Sequence, residues 1–182
     1  MNTKKVYLAQ TASFFWEVVK VVVISLAIII PIRYFLIQSF YVKGASMEPN
    51  YTDYEYLIID ELSYRFNDPV RGEVVVVHDP RDAKQFFIKR VIGIPGDEID
   101  ILNGKIVLNG VDLDETAYLD DSVVTDSAPG KRHFKLEDKE YFILGDNRPA
   151  SYDSRRFGPI TYDDLIGRVW IRAWPFDRLA IF

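Results

Sequence analysis

Glu73-Val74-Val75-Val76-Val77-His78 decides the fold. Four consecutive valines, with no polar residue between them, are typical of a strand buried on both faces. Outward from this run the same character recurs. Tyr54–Asp60 carries Leu57-Ile58-Ile59, Gln85–Ile94 is strand-like, and Phe35–Val42 is rich in aromatic and aliphatic residues around Gln38 and Ser39. Asn103-Gly104 lies between apolar runs within Glu98–Val107, and Asn109-Gly110 follows Leu108; each is a two-residue hairpin signal. Lys139–Leu144 and Val169–Ala173 complete the set. Beyond the N-terminal stretch, helix candidates are short, Tyr162–Ile166 among them. The expectation is a mainly β domain, a sandwich or partly closed barrel. Asp112–Glu140 is polar, with Asp112, Asp114, Glu115, Asp120, Asp121 and Asp126, and reads as a solvated excursion or small subdomain. It lacks the regular oxygen spacing and central glycine of a calcium loop.

The 182 residues suffice for one soluble domain and an anchor. With 48% hydrophobic and 14% aromatic residues the chain has the means to build a core. It has no cysteine, which excludes disulfides, cysteine-ligated zinc and a cysteine nucleophile. The net charge of −5 is unevenly placed. Residues 1–43 hold Lys4, Lys5, Lys20, Arg33 and Lys43 against Glu17, a net +4, which leaves −9 for the remainder. An acidic body excludes a nucleic-acid surface, and a basic, apolar head fits a membrane anchor.

The apolar stretch runs from Phe14 to Ile32, with an unbroken centre at Val21–Ile32. The centre alone is short of the roughly 20 residues that span a hydrocarbon layer. Lys20 and Arg33 snorkelling outward extend it, and Trp16 and Tyr34 sit where interfacial aromatics belong. Pro31 is expected to end or kink the helix. A buried core helix is disfavoured by the lack of a polar face. A cleaved signal peptide would be cut near Val42-Lys43-Gly44, too far from the apolar centre. An uncleaved single-pass anchor fits best, and charge leaves its orientation open, because Lys4 and Lys5 oppose Arg33 and Lys43.

Gly44-Ala45-Ser46-Met47-Glu48-Pro49-Asn50 follows the anchor. A hydroxyl on a tight connection is either a turn residue or a nucleophile in need of a base. In Phe86-Phe87-Ile88-Lys89-Arg90-Val91-Ile92-Gly93-Ile94-Pro95-Gly96-Asp97, strand alternation places Lys89 with Phe87 and Val91, and Arg90 with Ile88 and Ile92. Lys89 is either a strand-edge charge or a desolvated amine whose pKa falls toward neutrality. Arg90 does not deprotonate and is no base. The third stretch, Gly145-Asp146-Asn147-Arg148-Pro149-Ala150-Ser151-Tyr152-Asp153-Ser154-Arg155-Arg156-Phe157-Gly158-Pro159, is either a polar loop or a support that fixes a base. In it Ser151 is placed to hold the Lys89 amine, and Asp153 with Arg155 to form an ion pair. His78 and His133 offer a rival Ser-His arrangement, but neither has a distinctive setting, and two histidines make a poor metal site.

In order, Ser46-Met47-x-Pro49, Lys89-Arg90-Val91-Ile92-Gly93-x-Pro95-Gly96-Asp97 and Gly145-Asp146-Asn147-Arg148-x-x-Ser151-x-Asp153-Ser154-Arg155, behind an N-terminal anchor, resemble bacterial type I signal peptidase, in the compact form of Gram-positive bacteria. The resemblance implies a Ser-Lys serine endopeptidase that removes N-terminal signal peptides from exported preproteins, cutting after small residues. It implies Ser46 as nucleophile, Lys89 as general base, Ser151 as the hydroxyl orienting the lysine, Asp153 and Arg155 as a supporting pair, and Asp146 as a structural carboxylate. It implies a β catalytic core with a small β extension at about 100–140, and no metal or cofactor. It implies a cytoplasmic tail (1–12), one transmembrane helix (13–35) and an extracytoplasmic domain (36–182) in contact with membrane lipid and near the secretion translocon. Two positions depart from the family. Asn50 stands where many members have threonine. Gly44 stands where some have a serine in the oxyanion hole, which leaves the Ser46 N–H with another backbone group or a water.

Val42, Leu57 and Ile88 are expected to wall the substrate pocket. Two rivals remain: a Ser-Lys protease dedicated to one partner, and a non-enzymatic anchored binding domain.

Overall fold

The computed structural model describes the backbone of residues 3–35 and 37–182 and the side chains of 14–30, 38–82 and 84–182. The chain divides into two compact units, residues 1–37 and 38–182. The first is built on helix α1, Thr3–Phe35. It already includes residues expected to form a separate tail, and it continues past Pro31. The apolar side chains from Phe14 to Ile30 are exposed, except for the half-buried Val19. Among the described residues no helix is long and apolar enough to cross a membrane. Residues 14–30 rise about 26 Å at 1.5 Å per residue, against a hydrocarbon core of about 30 Å. The interfacial and flanking roles expected of Lys4, Lys5, Pro31, Arg33 and Tyr34 fall on side chains outside the described residues.

The second unit is mainly β. Strands β1 (Ile37–Tyr41), β2 (Tyr56–Asp60), β3 (Val74–Asp79) and β4 (Asp82–Gly93) come first. The expected strand over Phe35–Val42 is thus shorter, with Phe35 in the helix and Leu36 outside the described residues. Next come β5 (Glu98–Leu102), β6 (Lys105–Leu108), β7 (Val111–Asp112) and β8 (His133–Lys135). β9 (Glu140–Leu144), the single-turn helix α2 (Ser154–Phe157), β10 (Ile160–Thr161), β11 (Leu165–Trp174) and β12 (Ala180–Ile181) end the chain. The main sheet has the order β1-β2-β11-β3-β4-β9-β10, with β12 on β11. A second sheet has the order β7-β6-β5-β8.

The valine run behaves as its composition predicts. Val74 and Val76 face one cluster with Met47, Leu57 and Val169, while Val75 and Val77 face another with Val91, Tyr141 and Ile143. β9 is also buried on both faces. Tyr141 and Ile143 join that second cluster, and Phe142 and Leu144 join a third with Ile99, Ile106 and Phe134 of the small sheet. Both Asn-Gly pairs turn hairpins with positive φ, 51° and 78° at Asn103-Gly104 and 52° and 82° at Asn109-Gly110, as a type I′ turn demands.

One expectation changes, and the small extension takes definite form. Tyr162–Ile166 is a 3₁₀ turn at Tyr162–Asp164 that leads straight into β11, whose strand begins early because Leu165 pairs with Val77. The extension is a four-stranded sheet within residues 98–135. The acidic excursion contributes to it: Phe134 on β8 pairs with Ile99 and is buried. Three residues of alternation, His133-Phe134-Lys135, are too few to read as a strand.

Candidate active site

Lys89 lies in the middle of β4, antiparallel to β3 with Val75 opposite. The alternation that puts it with Phe87 and Val91 is what the structure has, since both neighbours pack in the cluster beneath it. The side chain is buried. Its Nζ donates 2.8 Å hydrogen bonds to Ser46 Oγ and to the Ile88 carbonyl, both uncharged. The Phe87 ring lies 5.1 Å from the ammonium. Burial pushes the Lys89 pKa down from about 10.5 to about 8, and the more distant charges of Asp153 and Asp146 only partly oppose this.

Ser46 sits in a connection pinned on both sides. Before it, Gly44 adopts a φ of +101° and its N–H donates to Asp53 Oδ1 at 2.5 Å. That N–H is therefore committed and unavailable as an oxyanion donor. A Cβ at Gly44 would meet open space, so a serine there would be opposed by its backbone angle and not by crowding. After Ser46, Met47 is fully buried and Tyr51 N–H donates to its carbonyl.

The third motif holds this connection from beneath. Asn147 donates its backbone N–H to the Ser46 carbonyl at 3.1 Å and its side-chain amide to the Ala45 carbonyl at 3.0 Å. Gly145 is obligatory here: a Cβ would fall 2.4 Å from the Ser46 carbonyl and 2.3 Å from Ser151 Oγ. Asp146 forms a two-pronged ion pair with Arg90, at 2.9 and 2.6 Å, and accepts from Asn50 Nδ2 at 2.8 Å. Asn50 also donates to the Tyr118 carbonyl, tying the serine connection to the extension. Asp153 and Arg155 form the expected ion pair, through Nε at 2.8 Å and Nη2 at 2.9 Å. Asp153 also caps α2 and accepts from the Gly145 N–H. Arg148, fully buried, bridges Glu115, Thr125 and the Gly145 carbonyl.

The contact expected between Ser151 and the Lys89 amine is absent. Ser151 Oγ is buried without a hydrogen-bond partner and lies against Gly145, while Ser46 and Ile88 take the Lys89 protons. The histidines lie in other settings: the His78 ring packs beside Phe86, and His133 pairs with Asp100 on the small sheet. Val42, Leu57 and Ile88 do share a cavity, of about 100 Å³, with Ser46 and Lys89, and Val76 and Phe86 extend its wall. Sequence reading missed Asn147, the steric role of Gly145 and the Arg90–Asp146 pair. The only signal was a glycine opening a motif dense in hydrogen-bonding groups.

A mainly antiparallel β domain that brings a hydroxyl against a desolvated amine beside a small apolar cavity has the build of a serine hydrolase. Residues 15–174 match the family described as signal peptidase, peptidase S26. Probable signal peptidase I-2 of Synechocystis sp. is 39% identical over 170 residues, covering 91% of this chain and 76% of its own. Signal peptidase IB of Staphylococcus aureus is 30% identical over 170 residues, covering 86% and 88%. A crystal structure of a signal peptidase I from Enterococcus faecalis aligns at a TM-score of 0.45 and 27% identity, over 57% of this chain and 97% of that one. The chain belongs to the type I signal peptidases of the S26 family, serine endopeptidases that remove signal peptides from preproteins. Signal peptidases are membrane proteins.

Proposed function

We propose that Ser46 and Lys89 are the catalytic dyad. The 2.8 Å contact between a serine hydroxyl and a buried lysine with two neutral partners carries this reading. With Lys89 neutral, the contact runs in reverse: the Ser46 O–H donates to Nζ, and Oγ attacks the carbonyl before the cut. The resulting ammonium passes the proton to the leaving amine of the mature chain. A water deprotonated by Lys89 then releases the acyl-signal peptide. Ser46 N–H is the oxyanion donor nearest the reacting carbon, with a second donor other than Gly44. Ser151 is the acceptor we assign to the lysine once Ser46 is acylated; what supports it is a buried hydroxyl without a partner that lies, like the Ser46 carbonyl, beside Gly145. Asp153, Arg155 and Asp146 hold the frame.

The cavity beside Ser46 holds about three waters' worth of volume, which suits a small side chain before the cut. The substrate lies extended beside β1 and β4 as an added strand. Residues 13–35 serve as the single membrane span, 1–12 as the cytoplasmic tail and 36–182 as the extracytoplasmic domain, near the translocon. The exposure of nearly all apolar side chains from Phe14 to Ile30, Val19 alone being half-buried, supports this. The tests are direct. Ser46→Ala and Lys89→Ala should each abolish preprotein cleavage with the fold intact, while His78→Ala should not. Retained activity in Lys89→Ala with loss in His78→Ala would sink the dyad. Release of the chain from membranes by alkaline carbonate would sink the anchor. A panel of unrelated preproteins separates broad processing from a protease dedicated to one partner.

A further inference from the structure

The serine connection has a second anchor, remote from the three motifs. Glu55, just before β2, is 1% exposed, and two arginines converge on it. Arg172 of β11 lies 2.9 Å from it through Nε, an ion pair without hydrogen-bond geometry, and Arg178, in the 3₁₀ turn Phe176–Arg178, lies 2.7 Å away through Nη1. One carboxylate facing two guanidiniums leaves a surplus positive charge. The surplus is directed at backbone carbonyls of the serine connection. Arg172 Nη2 donates to the Asn50 carbonyl at 2.6 Å. Arg178 Nη2 donates to the carbonyls of Asn50 and Pro49 at 3.2 and 3.3 Å, and its Nη1 to Thr52 Oγ1 at 2.9 Å. The Arg172 guanidinium also lies over the rings of Tyr51, at 4.8 Å, and Phe182, at 5.4 Å. Phe182 is held in place by its N–H to the Trp170 carbonyl.

We infer that Glu55, Arg172 and Arg178 are positioning residues: the C-terminal segment clamps the serine connection and thereby sets the approach of Ser46 to Lys89. The inference rests on Ser46 being the nucleophile. Asn147 fixes the Ala45 and Ser46 carbonyls, and the arginine clamp fixes the Pro49 and Asn50 carbonyls, so Ser46 sits in a span held at both ends. A bidentate fork that takes two carbonyls and a carboxylate at once is within the reach of arginine and not of lysine. Loss of one end lets Ser46 drift from the amine, and displacements of about 1 Å cost on the order of 100-fold in rate.

Arg178 is the residue to change, because its side chain is 34% exposed and its loss leaves Arg172 to neutralise Glu55. In the full-length protein, Arg178→Ala should lower kcat for a preprotein about ten-fold or more, with KM changed less than two-fold. Arg178→Lys should recover only part of the loss. Rates are normalised to the folded fraction measured by circular dichroism at the assay temperature, so a mere loss of fold does not imitate the effect. A second variant, Thr52→Val, removes one Arg178 contact together with the Thr52 hydroxyl's bond to Glu55, and should give a smaller kcat loss of the same kind. Unchanged normalised kcat in Arg178→Ala, a loss confined to KM, or full recovery by Arg178→Lys would each overturn the clamp. Ser46→Ala is run in parallel. If it keeps activity, the nucleophile assignment fails and the clamp falls with it; if it is inactive while Arg178→Ala is fully active, the clamp alone fails.

Discussion

Lys89 and Arg90 are neighbours on β4, and the sheet sends them to opposite faces and opposite fates. Both are buried cations. Arg90 meets Asp146 through two hydrogen bonds, donates to the Gly72 carbonyl and stacks 4.1 Å over Tyr118. Burial works against its charge, yet the bonds to Asp146 prevail and hold its pKa above the ordinary value. Lys89 has a hydroxyl, a carbonyl and an aromatic ring, and its pKa falls. Burial is common to both; a carboxylate in contact is what separates a structural cation from a base. The side-chain chemistry reinforces the split, because a guanidinium stays charged in any such site and an amine does not.

The sharpest break in that comparison is Lys89→Met, which keeps length and removes the amine. Cleavage should fall by about 10³-fold or more, read as preprotein turnover. Stability should move the other way. The folded state binds fewer protons than the unfolded one between pH 8 and about 10.5, so the wild type gains stability as pH rises through that window. Below pH 8 the buried amine costs about 3 kcal/mol, and Lys89→Met should be more stable by up to that amount at pH 7 in urea titrations. The difference should vanish near pH 10.5. A wild type whose stability is flat from pH 8 to 10.5 would mean that Lys89 is not desolvated. In activity the same group predicts turnover rising through about pH 8 as the amine becomes neutral, and a profile without that limb would reject it as the base.

Much of this contrast was legible in the chain. Strand alternation alone put Lys89 with Phe87 and Val91, and the valine run and both Asn-Gly turns read directly as structure, because each is a local preference. The partner of Lys89 was legible only through resemblance, since Ser46 is 43 residues away and no local pattern links them. The Arg90–Asp146 pair and the Asn147 anchor were not legible, because they join segments 56 and 102 residues apart across the sheet. Ser151 was misjudged in its contact. Its order in the motif was informative, but its rotamer depends on the space beside Gly145, which only packing defines.

Asp146→Asn tests the Arg90 side. It leaves a guanidinium buried without a carboxylate, and breaking such a pair costs about 3–5 kcal/mol, measured as a lower urea midpoint with an unchanged m-value. Activity should survive better than in Lys89→Met once corrected for the folded fraction, because the dyad itself is untouched. The double variant Arg90→Met/Asp146→Leu, which removes both charges, should return to within about 2 kcal/mol of wild type. If the double variant were as unstable as the single one, the pair would matter for its shape and not its charge, and the contrast with Lys89 would lose its electrostatic basis.

Asn50→Thr should have the smallest effect and refines the same contrast. Asn50 Nδ2 shares Asp146 with Arg90 and also reaches the Tyr118 carbonyl. A threonine hydroxyl supplies one donor where the amide supplies two, so one of these bonds is lost at a cost of about 1 kcal/mol. The Asn50 carbonyl that Arg172 and Arg178 hold is backbone and survives the exchange. Stability should therefore drop slightly, and kcat should stay within about three-fold. A kcat loss as large as that of Arg178→Ala would show that Asp146 fixes the serine connection through the Asn50 side chain. In that case the face of β4 that carries Arg90 would share in positioning the nucleophile, and the division between a structural and a catalytic face would not hold.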